Sequence, residues 1–356
     1  MSFLYIHIPF CIKKCNYCSF VSFCADSTKF RQYFDALKKE IEHKNPKNLK
    51  TLYIGGGTPS CVPIEFYQNL KFNFAAEYEF TFEVNPKTVN GKYLKNLRSL
   101  GVNRLSIGIQ SFNDKILTQI GRLHSAEDAI ECVKQSRKAD FDNISIDLIY
   151  GLPNQTMEIW KETLATALSL KVQHISTYGL KIEEGTAFGQ NMPKNLPDED
   201  LCADMYTECV KTLTTAGFGH YEISNFALCG FESKHNTNYW KNAPYIACGV
   251  AAHGYENQIR YENTTNFENY IQNPLTCMKN TILNSDDILA EAVFLGFRLK
   301  EGIDLKEFKT LYGVDFEKKY ERQLEKFKEF FERKDEKISL TTEGFMLSNV
   351  ILSEFI

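Results

Sequence analysis

The chain has 356 residues, 43% hydrophobic and 24% charged, with 41 Lys and Arg against 45 Asp and Glu. The net charge of −4 offers no general basic field for nucleic acid, and no apolar run approaches the roughly 18 residues that cross a bilayer. The length exceeds the roughly 250–300 residues that one core supports, so a large domain with a smaller companion is expected. The opening "MSFLYIHIPF" is not basic and lacks a small-residue cleavage site, which makes the cytoplasm the expected compartment. There the eleven cysteines should stay reduced.

In chain order, "FLYIHI", "TLYIG", "FTFEV", "RLSIGIQ", "ISIDLIY" and "HISTYGL" read as buried strands. Helical spacing fills the gaps, as in "TKFRQYFDALKKEIEH" after the caps Asp26 and Ser27 and "AEDAIECVKQSRK" after Ser125. Six such units predict an α/β chain with a parallel sheet and right-handed crossovers, a complete (β/α) barrel or a partial TIM-like (β/α)6 barrel, over residues 1–217. The alternation then stops, and residues 218–282 read as an extension packed on the barrel. Residues 283–356 predict a smaller, mostly helical, winged-helix-like domain. Its "VDFEKKYERQLEKFKEFFERKDEK" reads as a helix with the apolar stripe Tyr320, Leu324, Phe327 and Phe331, a face for core packing or for a membrane.

The unusual residues fall at the C-terminal ends of the strands, the reactive edge of parallel α/β folds. Directly after the first strand, "CIKKCNYCSF" places Cys11, Cys15 and Cys18 on one loop. Clustered thiolates select zinc, copper(I) or an iron–sulfur cluster. The absence of a second cysteine pair disfavours zinc, whereas three thiolates suit a 4Fe-4S cluster with one open iron. Cys61, Cys132, Cys202, Cys209, Cys229, Cys248 and Cys277 read as small buried hydrophobes, and Cys24 stays open.

C-x3-C-x2-C after the first barrel strand resembles the radical S-adenosylmethionine superfamily. With "GGGTPS", "EVNP", "GVNRLSIGIQSFND", "GRLHS", "IDLIYGLPNQT" and "YEISNFA", residues 3 to 255 resemble the oxygen-independent coproporphyrinogen III oxidase family. The resemblance implies a 4Fe-4S cluster on Cys11, Cys15 and Cys18, with S-adenosylmethionine against Tyr5, Phe20, Gly56, Gly57, Thr58, Glu83, Gln110, Arg122, Asp147 and Gly179. The chemistry agrees: glycines admit close backbone approach, carboxylates suit ribose hydroxyls and ammonium, and Arg122 suits a carboxylate.

Two departures matter. The oxidases typically carry a further cysteine where this chain has Phe20, and a long extension where it has ten residues before Cys11. Both are similar to the heme chaperone branch of the family, whose second mark, H-N-x-x-Y-W, stands here as His235, Asn236, Tyr239 and Trp240. That branch implies heme as a third cofactor, with His235, Tyr239 and Trp240 as candidate ligands and His7, His220 and His253 as others. His124 reads as cofactor wall and His43 as solvent-exposed. The role implied is heme delivery to respiratory-chain acceptor proteins, with peripheral contact at the inner membrane and no nucleic acid. Radical decarboxylation of coproporphyrinogen III is the alternative, and a radical enzyme on another substrate a third. The sequence assigns no catalytic residue and leaves the oligomeric state open.

Overall fold

The computed structural model describes residues 2–24, 26–276 and 278–355. Cys277 lies outside them. All six expected strands form: β1 (Ser2–Ile8), β2 (Leu49–Gly56), β3 (Phe74–Val84), β4 (Arg104–Gln110), β5 (Ile144–Tyr150) and β6 (His174–Gly179). They pair in parallel in chain order. Leu4, Ile6, Leu52, Ile54, Phe82, Leu105, Ile107, Ile146 and Ile175 are fully or almost fully buried, as β-branched and aromatic strands covered on both faces must be. The crossover helices start where their caps dictate. Asp26 Oδ1 accepts from the Thr28 and Lys29 amides at 3.0 and 3.1 Å, so Asp26 is the cap and Ser27 the first helical residue. Ser125 and Asp128 form a reciprocal capping box.

The barrel is incomplete, and residues after 217 extend both of its edges. Among the described residues, β7 (Gly219–Glu222) and β8 (Asn225–Ala227) add antiparallel beyond β6, while β9 (Ile246–Cys248) adds parallel beside β1. The helix Lys234–Trp240 joins β8 to β9. It passes under the N-terminal halves of β2 and β3, where Glu79 accepts from the Lys234 and His235 amides, each at 3.1 Å. A carboxylate at a helix start offsets the unpaired amides there. A small sheet of β10 (His253–Glu256), β11 (Ile259–Asn263) and β12 (Met278–Ile282) follows.

Glu40, buried on the helix Ser27–Lys44, ties this extension down. It accepts from the Gly249 amide at 2.8 Å, Asn263 Nδ2 at 2.8 Å and the Tyr270 hydroxyl at 2.6 Å, and Lys44 lies 3.3 Å away. A buried carboxylate this fully paired holds two chain segments in register.

The C-terminal part has its own core, from Leu289 to Phe355, which Tyr206 of the barrel helix Glu199–Thr215 joins. Here the expected single helix is corrected. The run breaks into the short helices Phe316–Lys319 and Glu321–Lys326, a 3-10 turn, and β14 (Phe331–Lys334), which pairs with β15 (Lys337–Leu340) beside β13 (Ile303–Asp304). Tyr320 and Leu324 sit in the core, and Phe327 and Phe331 pack against it, so the stripe faces inward. Among the described residues, no helix is long and apolar enough to cross a membrane. The cysteines there are free: Cys132, Cys209 and Cys248 are buried as expected, Cys61 and Cys202 are half-buried, and Cys229 is exposed, contrary to expectation.

Candidate cofactor site at the barrel mouth

A cavity of about 470 Å³ opens at the C-terminal ends of the strands. Cys11, Cys15, Cys18, Phe20, Gly56, Gly57, Thr58, Glu83, Gln110, Arg122, Asp147 and Gly179 all line it. These residues are spread over 169 positions, from 11 to 179, and the parallel topology alone gathers them.

The cysteine loop leaves β1 and is pinned at both ends. The Cys11 amide donates to Phe23 O at 3.0 Å, and Asn16 Nδ2 donates to Gln119 O at 2.8 Å. Cys11 Sγ lies 3.4 Å from Thr58 Oγ1, and an Arg122 guanidinium nitrogen donates to Cys15 Sγ at 3.6 Å. Burial pushes the Cys11 and Cys18 thiols up, so iron must displace protons to bind them. Among the described residues, no three His, Cys, Asp or Glu side chains close around one metal ion. Three thiolates on one loop suit three corners of a 4Fe-4S cluster and leave the fourth iron open. The donor set fits the cluster.

The glycine turn at the end of β2 packs closely against β1 and the cysteine loop. A Cβ on Gly57 would stand 2.7 Å from Phe10 O and 3.1 Å from Cys11 Sγ, and one on Gly56, at φ +114°, would meet the His7 ring at 2.7 Å. Only glycine permits both the backbone angle and the approach. Thr58 donates its amide to Phe10 O at 2.7 Å, and its hydroxyl accepts from Asn85 Nδ2 at 2.9 Å.

Glu83, Asp147 and Arg122 are among the charged groups that face the cavity. Glu83 accepts from the Tyr53 hydroxyl at 2.7 Å and from the Gly56 amide at 3.1 Å, yet burial raises it to about 7. Asp147, with Ser106 Oγ donating at 3.3 Å, is also pushed up by burial. A cation entering beside either carboxyl would favour its ionised form. Arg122 donates to Asn85 Oδ1 at 2.6 Å and to Gly108 O, while its buried Nε has no partner among the described residues. That leaves a donor for an anionic group. Gln110 reaches the cavity because β4 is irregular between Gly108 and Gln110 and because Gln110 takes φ 71°.

Other expected residues lie elsewhere. Tyr5 is not on the lining; its hydroxyl meets His7 Nδ1 at 3.0 Å, beside the Tyr53 ring. His235 is buried with both ring nitrogens engaged, Nδ1 with Thr51 Oγ1 at 2.6 Å and Nε2 with the Tyr239 hydroxyl at 2.8 Å. Burial, then Arg104, depresses it to about 3. The helix thus plugs the barrel foot with His235 committed to protein hydroxyls, and of the motif Asn236 alone lines this cavity, with Tyr239 and Trp240 away from it. Tyr239 lines a separate pocket of about 150 Å³. His7 and His220 are equally committed, His7 through Val21 O at 3.0 Å and His220 by stacking on Phe226 at 4.4 Å, whereas His253 is exposed beside Glu262. His124 does line the cavity, with Nε2 3.0 Å from Ile109 O.

Several lining residues were not read from the sequence: Tyr17, Tyr53, Asn85 and Arg104. Asn85 bridges Thr58 and Arg122, and its place two residues after Glu83 in "EVNP" was the available signal. Arg104, the first residue of β4, is buried at the cavity with its Nε unpartnered among the described residues.

The chain is similar to known proteins along its whole length. Residues 5–167 match the radical SAM superfamily model, and residues 283–347 match the HemN C-terminal domain. The chain is 36% identical to the heme chaperone HemW of Lactococcus lactis subsp. lactis, over 99% of this chain and 96% of that protein. It is 35% identical to the heme chaperone HemW of Bacillus subtilis, over 100% and 99%. The solved Escherichia coli coproporphyrinogen III oxidase HemN shares the fold, with a TM-score of 0.87, 24% identity and coverage of 99% of this chain and 90% of that one.

Proposed function

The chain belongs to the HemW heme chaperones within the radical S-adenosylmethionine superfamily, and on that premise we propose that it binds heme and passes it to respiratory-chain acceptor proteins. The single observation that carries the choice of carrier over oxidase is Phe20. It occupies the place where the oxidases carry a further cysteine, and it stands exposed on the cavity wall as a hydrocarbon surface.

Cys11, Cys15 and Cys18 would hold a 4Fe-4S cluster, which supplies an open iron for S-adenosylmethionine. Around that group Gly56 and Gly57 present backbone on the lining, Glu83 offers a carboxylate for an ammonium, Arg122 Nε offers a donor for a carboxylate, and Asp147 suits ribose hydroxyls. We read residues 1–217 as the barrel, 218–282 as its extension and 283–356 as the C-terminal domain. Delivery at the inner membrane would proceed through contact with an acceptor, since the Tyr320 to Phe331 stripe is spent on the core.

The oxidase reading draws on the retained Glu83, Arg122 and Asp147, all present at the cavity. Anaerobic incubation of the reconstituted protein with S-adenosylmethionine, a reductant and coproporphyrinogen III separates the two. The carrier reading expects no protoporphyrinogen, and catalytic formation of it would overturn that reading.

A further inference from the structure

The mouth of the cavity differs in character from its walls. Ile12, Phe20, Leu123 and Tyr178 are 58, 63, 47 and 41% exposed, and all four stand on the lining of this one cavity. Single exposed apolar side chains are ordinary, but four converging on one concavity form a binding surface. Beside Ile12 on the cysteine loop stand Lys13 and Lys14, both exposed and both on the lining. Neither has an Asp or Glu oxygen within 4.0 Å among the described residues. By contrast, Lys87 and Lys181 on the same lining are paired with Asp128 at 3.3 Å and Glu183 at 2.6 Å.

An apolar rim with two free ammonium groups complements a flat, hydrophobic ligand that carries two carboxylates. We propose that heme docks on this rim, its macrocycle against Ile12, Phe20, Leu123 and Tyr178 and its propionates toward Lys13 and Lys14. This rests on the reading that the protein binds heme, and it moves the binding surface from the buried His235 helix to the barrel mouth. A membrane surface would also attract lysines beside apolar groups. These side chains, however, surround a hollow, which suits a ligand that enters it rather than a bilayer that lies across it.

The test is a heme titration of the anaerobically reconstituted full chain, followed by the Soret band, with iron and sulfide content measured for each variant. The double variant K13E/K14E and the variant Phe20→Ser should each raise Kd at least about tenfold, whereas Val350→Ser, exposed on the C-terminal domain, should not. Leu123→Ser and Tyr178→Ser lie off the cysteine loop, so they should weaken heme binding at unchanged cluster content even if loop variants lose the cluster. Heme binding by the wild type with wild-type Kd in every rim variant would overturn the rim and leave the carrier reading intact. Absence of heme binding by the wild type would overturn both. Loss of binding to anionic phosphatidylglycerol vesicles in the rim variants, with heme Kd unchanged, would assign the surface to a membrane and overturn the proposal.

Discussion

Replacing Cys11, Cys15 or Cys18 by serine removes one of three thiolates, and each variant should retain little iron or sulfide after reconstitution and desalting. Cys24→Ser should keep the wild-type content, because the Cys24 thiol lies outside the cavity lining and donates to Ile12 O at 3.3 Å. Glu83 gives a prediction in pH. Its folded-state value of about 7 lies above the ordinary 4.5, so its ionisation costs folding energy. That cost is absent below pH 4.5, grows between 4.5 and 7, and is complete above 7. Relative to wild type, Glu83→Gln should therefore gain on the order of 3 kcal/mol of stability between pH 4 and pH 8, read by denaturant melts of the ligand-free protein. The cysteines, the glycines and Glu83 were legible because their chemistry is visible in the residue type and its place at a strand end. Asn85 and Tyr17 were not, because their roles depend on where a loop backbone aims a side chain. His235 was legible as an unusual residue but not as a buried one, since the Thr51 and Tyr239 hydroxyls that claim its nitrogens lie 184 and 4 positions away.

The helix Lys234–Trp240 is the element that commits His235 to protein partners. His235→Ala would leave the Thr51 and Tyr239 hydroxyls without that partner and open a hole under β2, costing about 2–4 kcal/mol in chemical denaturation. The protein that stays folded should take up the cluster normally. The wild-type imidazole also has a pH signature. With its folded value near 3 and an unfolded value near 6.5, it favours the folded state fully above pH 6.5 and loses that contribution as the pH falls toward 3. His235→Ala should lack this part of the acid sensitivity. The C-terminal run shows why one element was misread. Lys, Glu and Gln are good helix formers, and apolar residues three or four apart fit a helical stripe. The same spacing serves two short helices and a 3-10 turn, and Asp335 at φ 54° then turns β14 back onto β15. Pairing with a partner strand overrode local propensity.

At the scale of the molecule, the extension and the barrel form one body because Glu40 reaches Gly249, Asn263 and Tyr270. Glu40→Ala would strand three buried donors, and a loss of about 3–5 kcal/mol is expected, with earlier proteolysis between residues 246 and 276 during limited digestion. The C-terminal domain attaches through backbone bonds, from the Ile223 amide to Arg298 O at 2.9 Å and from the Lys300 amide to Tyr221 O at 3.0 Å. The six-unit barrel was legible because each unit repeats the same apolar strand and amphipathic helix. The closure of its edges was not, because β7, β8 and β9 are only 3 or 4 residues long and carry no periodic signal. These parts frame a barrel mouth whose cysteine loop would hold the cluster and whose rim is hydrocarbon. The most direct test is stoichiometric heme titration of the anaerobically reconstituted full chain, followed by transfer of the loaded heme to an apo-cytochrome acceptor. The account predicts about one heme bound per chain and its appearance in the acceptor; a reconstituted protein that binds no heme would contradict it.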